Sequence, residues 1–233
     1  MYFRQTDWMA IHFILGKLII ATGFPTEASR RTEIFDLANP DNDCHVPEFP
    51  IEVEGSVTGF IGGQEYVCGG YPSTNQCYNL ISGELASFKL HFPRTGAASV
   101  SSDVFYIFGG VNENEHDLNS YEVISEESHT VYDLPFTWSY GCSVWIEYDM
   151  IMLIGGLQDG IWESKTWLLN LTSKEWTQGP AMNQPRSSFG CASIKSSVVV
   201  FGDYYGTATT EILRFNEGQF SYGTRIFFFF FQI

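Results

Sequence analysis

The chain repeatedly runs several large apolar residues into a pair of glycines, and that step limits what it can fold into. EYVCGG (65–70), FYIFGG (105–110) and IMLIGG (151–156) show it plainly, and LIIATG (18–23) shows it in weaker form. With the second glycine of each pair as a ruler, the marks are Gly23, Gly70, Gly110 and Gly156, and FGD places Gly202 and Asp203 at a fifth site. The intervals are 47, 40, 46 and 47 residues. A period near 45 that holds several short strands per unit is the signature of a radial array of small sheets.

Each unit reads as four strands. In the third, residues 96–100 (GAASV) and 104–108 (VFYIF) flank the turn Ser101-Ser102-Asp103, and a polar loop VNENEHDLN follows the glycines. Residues 120–124 (SYEVI) and 130–134 (TVYDL) supply strands three and four, and Pro135 ends the unit. The second, fourth and fifth units repeat this order segment by segment. The first does so through MAIHFIL, LIIATG and RRTEIFDL, and its TEIFDL is echoed by TEILRF in the fifth. That match favours a strand over a signal peptide for residues 1–21, where Asp7 and Lys17 also suit a signal poorly. The units span residues 8–46, 53–92, 96–135, 140–180 and 188–223, within one array covering 8–223.

Composition agrees with an all-β chain. Aromatic residues make up 16% and charged residues only 17%, with 22 glycines among 233 residues. A net charge of −15 works against docking on nucleic acid, whose affinity comes largely from Lys and Arg. Lys17 divides the longest apolar stretch, so no run is long enough for a membrane-spanning helix.

These features resemble the kelch repeat family. The residues that carry the resemblance are the Gly-Gly steps (Gly69, Gly70, Gly109, Gly110, Gly155, Gly156), an aromatic eight to eleven residues later (Tyr78, Tyr121, Trp167), and Trp176 near a unit's end. Arg94 in FPRTGAAS and Arg186 in QPRSSFGCAS match the family's arginine before the first strand. The chain departs from the pattern where Phe88, Val131 and Phe220 stand for the terminal Trp, where Asp203 breaks the fifth pair, and where units two and four lack the arginine. The resemblance implies a β-propeller of four-stranded blades, usually six or seven; five here imply an incomplete six- or seven-bladed ring. The tail at 224–233, RIFFFFFQI with the residue before it, fits no blade. It is read as an atypical end after blade five, against a ring-closing strand or an anchor.

In such an array the strand before each glycine pair is sandwiched on both faces, which explains its apolar run, and the glycines turn the chain. The arginines are expected to satisfy backbone carbonyls with their fork of donors. Function is expected in the loops after the glycines. Glu113, Glu115, His116 and Asp117 lie in the third, Asp159 and Trp162 in the fourth, Tyr204 and Tyr205 in the fifth. Aromatic residues in polar loops suit interface anchors. The expected function is therefore non-catalytic protein binding through one rim, with no cofactor. The resemblance extends partners to actin filaments or ubiquitin-ligase substrates, but no BTB or BACK domain is present to support an adaptor role.

The alternative is a propeller enzyme of the galactose-oxidase or carbohydrate-acting type, with a copper site and a Tyr–Cys cross-link. The five histidines, His12, His45, His91, His116 and His129, fall at unrelated places in the units and show no metal-ligand spacing. NENEHD (112–117) has oxygen ligands but not the glycine and spacing of a calcium loop.

Of the five cysteines, Cys142 and Cys191 sit at equivalent points of adjacent first strands, and Cys68 and Cys77 flank one loop. Two disulfides and buried free thiols both remain open readings. Similarity to secreted invertebrate kelch-like proteins around DCHVP, VCGG and QCYNL tilts the chain outside the cell. The one sequon, Asn170-Leu171-Thr172, lies in or beside a strand.

Overall fold

A computed structural model describes residues 10–14, 17–21, 32–36, 49–147, 149–206, 209–215 and 217–222. Every regular element among them is a β-strand, and no helix long and apolar enough to cross a membrane occurs there. Gly23, Cys44, His45 and residues 224–233 lie outside the described residues.

The strands form successive antiparallel meanders. The first sheet holds β1 (Ala10–Ile14), β2 (Lys17–Ala21) and β3 (Thr32–Asp36). The second holds β4 (Val57–Ile61), β5 (Gln64–Cys68), β6 (Gln76–Asn79) and β7 (Leu85–Lys89). The third holds β8 (Ala98–Ser101), β9 (Phe105–Phe108), β10 (Ser120–Ile124) and β11 (His129–Asp133). In the fourth, β12 (Cys142–Glu147) and β13 (Met150–Ile154) are followed by a small hairpin, β14 (Leu157–Gln158) and β15 (Ile161–Trp162), before β16 (Thr166–Asn170) and β17 (Trp176–Gln178) complete the sheet. The fifth holds β18 (Gly190–Ile194), β19 (Ser197–Phe201), β20 (Thr210–Arg214) and β21 (Gln219–Tyr222). A fourth strand for the first sheet would fall in residues 37–48, outside the described residues.

The chain divides into two compact units, residues 1–139 and 140–233. In the first unit β1 neighbours β4 and β4 neighbours β8; in the second, β12 neighbours β18. First strands of successive sheets thus lie side by side within each unit. Val57, Ile61, Phe105, Ile107 and Ile124 form a core joining the second and third sheets. Val144, Met152, Ile154, Val198, Val200 and Leu213 do the same for the fourth and fifth. Burial on both faces explains the near-continuous apolar runs of β9, β13 and β19, whereas the outer strand β11 is mostly exposed. Full burial of a side chain such as Phe105 stabilises by roughly 1.5–3 kcal/mol.

The glycine pairs join one sheet to the segment that leads into the next. The amides of Gly70, Gly110 and Gly156 donate to the carbonyls of Arg94, Trp138 and Arg186, each at 2.8 Å. Gly109 shows why no side chain fits: its φ is 57°, and a Cβ there would meet the Trp138 carbonyl oxygen at 2.0 Å. Arg94, Trp138 and Arg186 each stand four residues before the first strand of the next sheet.

The arginine side chains close the sheets that they precede. Arg94 donates to Gly109 O at 2.7 Å and to Glu122 Oε1 at 2.5 Å, and Arg186 to Gly202 O at 2.7 Å and to Glu211 Oε1 at 3.0 Å. All four charged side chains are fully buried. Burial lowers the Arg94 pKa while the Glu122 carboxylate opposes it. Each carboxylate also accepts the backbone N–H three residues before its arginine, His91 at 2.7 Å and Asn183 at 2.6 Å.

The second sheet solves the same problem without charge. Val53 stands where Arg94 does, and Tyr78, opposite Val67, stands where Glu122 stands opposite Ile107; Val53 and Tyr78 belong to one apolar cluster. Pro50 occupies the place of His91 and has no N–H to satisfy. In the sequence, Pro135, Trp138 and Trp167 stand at the three corresponding positions before and within the fourth sheet. This register also corrects the sequence alignment: Glu122, not Tyr121, is the counterpart of Tyr78 and Trp167, since Tyr121 lies opposite Phe108.

Candidate functional site

The loop after the fourth glycine pair is a hairpin, where sequence reasoning placed an irregular loop. Leu157 pairs with Trp162 and Gln158 with Ile161. Asp159 and Gly160 form the two-residue turn with φ of 52° and 75°, the doubly positive conformation that matches strand twist and that Asp-Gly favours. The Glu163 amide donates to Gly156 O at 3.0 Å, so the glycine pair also anchors the hairpin.

This hairpin carries Trp162 to the loop after β19. There Tyr204 N donates to Ser187 O at 2.9 Å and Gly206 N to Asp203 O at 3.0 Å, which sets the turn bearing Tyr204 and Tyr205. The Trp162 ring stacks on Tyr205 with centroids 4.8 Å apart and an interplanar angle of 25°. Tyr204 packs edge-on against both, at 6.2 Å from Trp162 and 5.4 Å from Tyr205. Tyr204 and Tyr205 remain 61% and 79% exposed. Three aromatic residues predicted from two loops therefore form one cluster.

Ile161, next to Trp162 in β15 and 65% exposed, is an apolar residue that the sequence reading did not single out. The Asp-Gly turn was its signal, because a two-residue hairpin fixes which face each flanking residue presents. Glu163 pairs with Lys165 at 2.9 Å close to the cluster. Chemically, the cluster offers apolar area and π-faces to an apolar or cationic group.

The predicted residues of the third loop lie in the first unit. Asn112 Oδ1 accepts the amides of Asn114 and His116 at 2.9 and 3.1 Å, folding the loop on itself. Glu113, Glu115 and His116 are exposed, and Glu115 has a φ of 61°. Asp117 has a structural tie, accepting Ser139 Oγ at 2.5 Å. Among the described residues no group of three or more His, Cys, Asp or Glu is placed to hold a metal ion. His91 and His129 instead lie near Glu122, through the His91 amide and through His129 Nε2, 2.6 Å from the carboxylate.

Both cysteine pairs that the sequence left open are disulfides. Cys68–Cys77 links directly opposed residues of β5 and β6, and Cys142–Cys191 links the neighbouring first strands β12 and β18. No protein-family model matches the chain, and no curated protein matches it.

Proposed function

We propose that the chain is a non-catalytic protein-binding module, a kelch-type propeller that engages its partner through the loops following the glycine pairs. The observation that carries this reading is the cluster of half-buried Trp162 with exposed Tyr204 and Tyr205, assembled from two loops of successive sheets. Exposed aromatic side chains held by their own backbone contacts lose little freedom on binding, and such residues dominate interface energetics. Four-stranded meanders with neighbouring first strands support the propeller reading.

The oxidase alternative needs a free cysteine to cross-link with tyrosine. Among the described residues Cys68, Cys77, Cys142 and Cys191 are all committed to disulfides, and Cys44 lies outside the described residues. The same disulfides support an extracellular or otherwise oxidising location. Non-reducing peptide mapping of the natural protein tests that location, and free thiols at Cys142 and Cys191 overturn it.

Cross-linking followed by mass spectrometry identifies the partner, and its affinity is then measured against a Trp162→Ala/Tyr204→Ala/Tyr205→Ala variant. Loss of an anchor cluster costs 2 kcal/mol or more, about 30-fold in Kd. Unchanged affinity in a variant that keeps its fold overturns the site.

A further inference from the structure

We propose that Asn170 is an N-glycan acceptor and that its glycan projects from the end of the fourth sheet opposite the aromatic cluster. The inference rests on the oxidising-compartment reading above and is independent of the binding site. Asn170-Leu171-Thr172 satisfies the acceptor rule, and Thr172 is exposed.

The geometry presents the correct atom. Asn170 ends β16, and its Oδ1 accepts the amides of Thr172 and Ser173 at 2.9 and 2.8 Å. Those bonds occupy the oxygen and leave Nδ2 on the other side of the amide of this half-buried residue, where it makes a long 3.9 Å hydrogen bond to Met150 Sδ. An amide nitrogen with two hydrogens can lose one to a sugar and keep that contact.

The same turn occurs in the second sheet, which separates structural need from modification. Asn79 Oδ1 accepts Ile81 and Ser82 amides at 2.9 and 2.8 Å, and Gly83 N and Lys174 N donate to their respective asparagine carbonyls at 2.9 and 2.8 Å. The turn therefore explains an asparagine at both places. It does not require a hydroxyl two residues on, since Ile81 stands at that position in the second sheet. Thr172 alone turns a structural asparagine into an acceptor.

Strand register gives the placement. Ile154 pairs with Thr166 at the hairpin end of the sheet, and Met150 pairs with Asn170 at the other. Four rises of roughly 3.3 Å separate the two ends by about 13 Å. A glycan on Asn170 is therefore attached at the end of the fourth sheet away from the hairpin that carries Trp162.

In the transfer, Asn170 Nδ2 bonds to C1 of the first sugar of a polyprenyl-diphosphate-linked oligosaccharide, the donor. The C1–O bond breaks, the polyprenyl diphosphate leaves with its electron pair, and the amide proton passes to a base of the transferase. No oxidation or reduction occurs.

The test is translation of the full chain into microsomes and its secretion from eukaryotic cells, followed by glycosidase digestion and peptide mapping. The expected result is one glycan's mass, removed by the glycosidase with conversion of Asn170 to aspartate. Thr172→Ala, which keeps Oδ1 and the turn's amides, is expected to abolish the mass shift without altering disulfide formation. An unmodified Asn170 in translocated chain with both disulfides formed overturns the acceptor and leaves the compartment reading standing. A mass shift that persists in Thr172→Ala also overturns it.

Discussion

Removing the Arg94 side chain should cost far more than its surface charge would suggest, because the residue holds a buried network together. Glu122 accepts from Arg94 Nη2 at 2.5 Å, His91 N at 2.7 Å and Phe92 N at 3.2 Å, and contacts His129 Nε2 at 2.6 Å. Arg94→Val leaves that carboxylate buried without its cation and strips Gly109 O of a 2.7 Å donor. Breaking one side of a buried pair costs about 3–5 kcal/mol. In a chain of this size 1 kcal/mol moves Tm by roughly 2–4 °C, so the expected drop is about 6–20 °C by scanning calorimetry.

The second sheet supplies the rescue. There Pro50, Val53, Ser56 and Tyr78 hold the positions of His91, Arg94, Ala97 and Glu122, and Ser56 Oγ donates to Gly69 O at 3.2 Å, the place that Arg94 fills for Gly109 O. Transplanting that set as His91→Pro/Arg94→Val/Ala97→Ser/Glu122→Tyr removes both charges and one orphan amide and restores a donor to Gly109. Phe92 N–H remains unpaired, at a cost of roughly 1–3 kcal/mol. The fourfold variant should therefore be more stable than Arg94→Val alone. A single variant that loses less than about 1 kcal/mol, or a fourfold variant that melts below it, refutes the claim that these are two interchangeable solutions to one packing problem.

Gly109→Ala should destabilise at least twice as much as Gly160→Ala in denaturant titrations. Both have positive φ, a strain of about 1–2 kcal/mol, but a Cβ at Gly160 meets nothing within 4 Å while one at Gly109 strikes a backbone oxygen. Replacing Cys142 and Cys191 together by alanine should cost about 4 kcal/mol, against about 3 kcal/mol for Cys68 and Cys77, because the separations closed are 49 and 9 residues. Equal losses in calorimetry would contradict the loop-entropy account. Burial, aided by Tyr132 and Tyr106, raises the Tyr121 pKa from 10.0 to about 12. The native state thus favours the neutral phenol, and this contribution is complete below pH 10 and lost as pH rises toward 12. Tyr121→Phe should flatten the fall of Tm across that window, and an unchanged slope would exclude Tyr121 as its source.

The sequence by itself determined the repeat, the all-β class and the position of most strands, because apolar runs and glycine steps are local properties written in order along the chain. β10 occurs at the residues expected for it, and the glycine pairs take the positive φ that their type permits. It also singled out Trp162, Tyr204 and Tyr205, yet not that they touch. Their contact depends on a two-residue hairpin after β13 and a turn after β19, 42 residues apart between Trp162 and Tyr204, brought together by packing of successive sheets. Glu122 and Glu211 were invisible as partners of Arg94 and Arg186 for the same reason. Each ion pair spans 28 and 25 residues, and only strand register turns a glutamate in a half-apolar strand inward. Pairing between distant residues is a property of the folded sheets, and tertiary structure alone decided it.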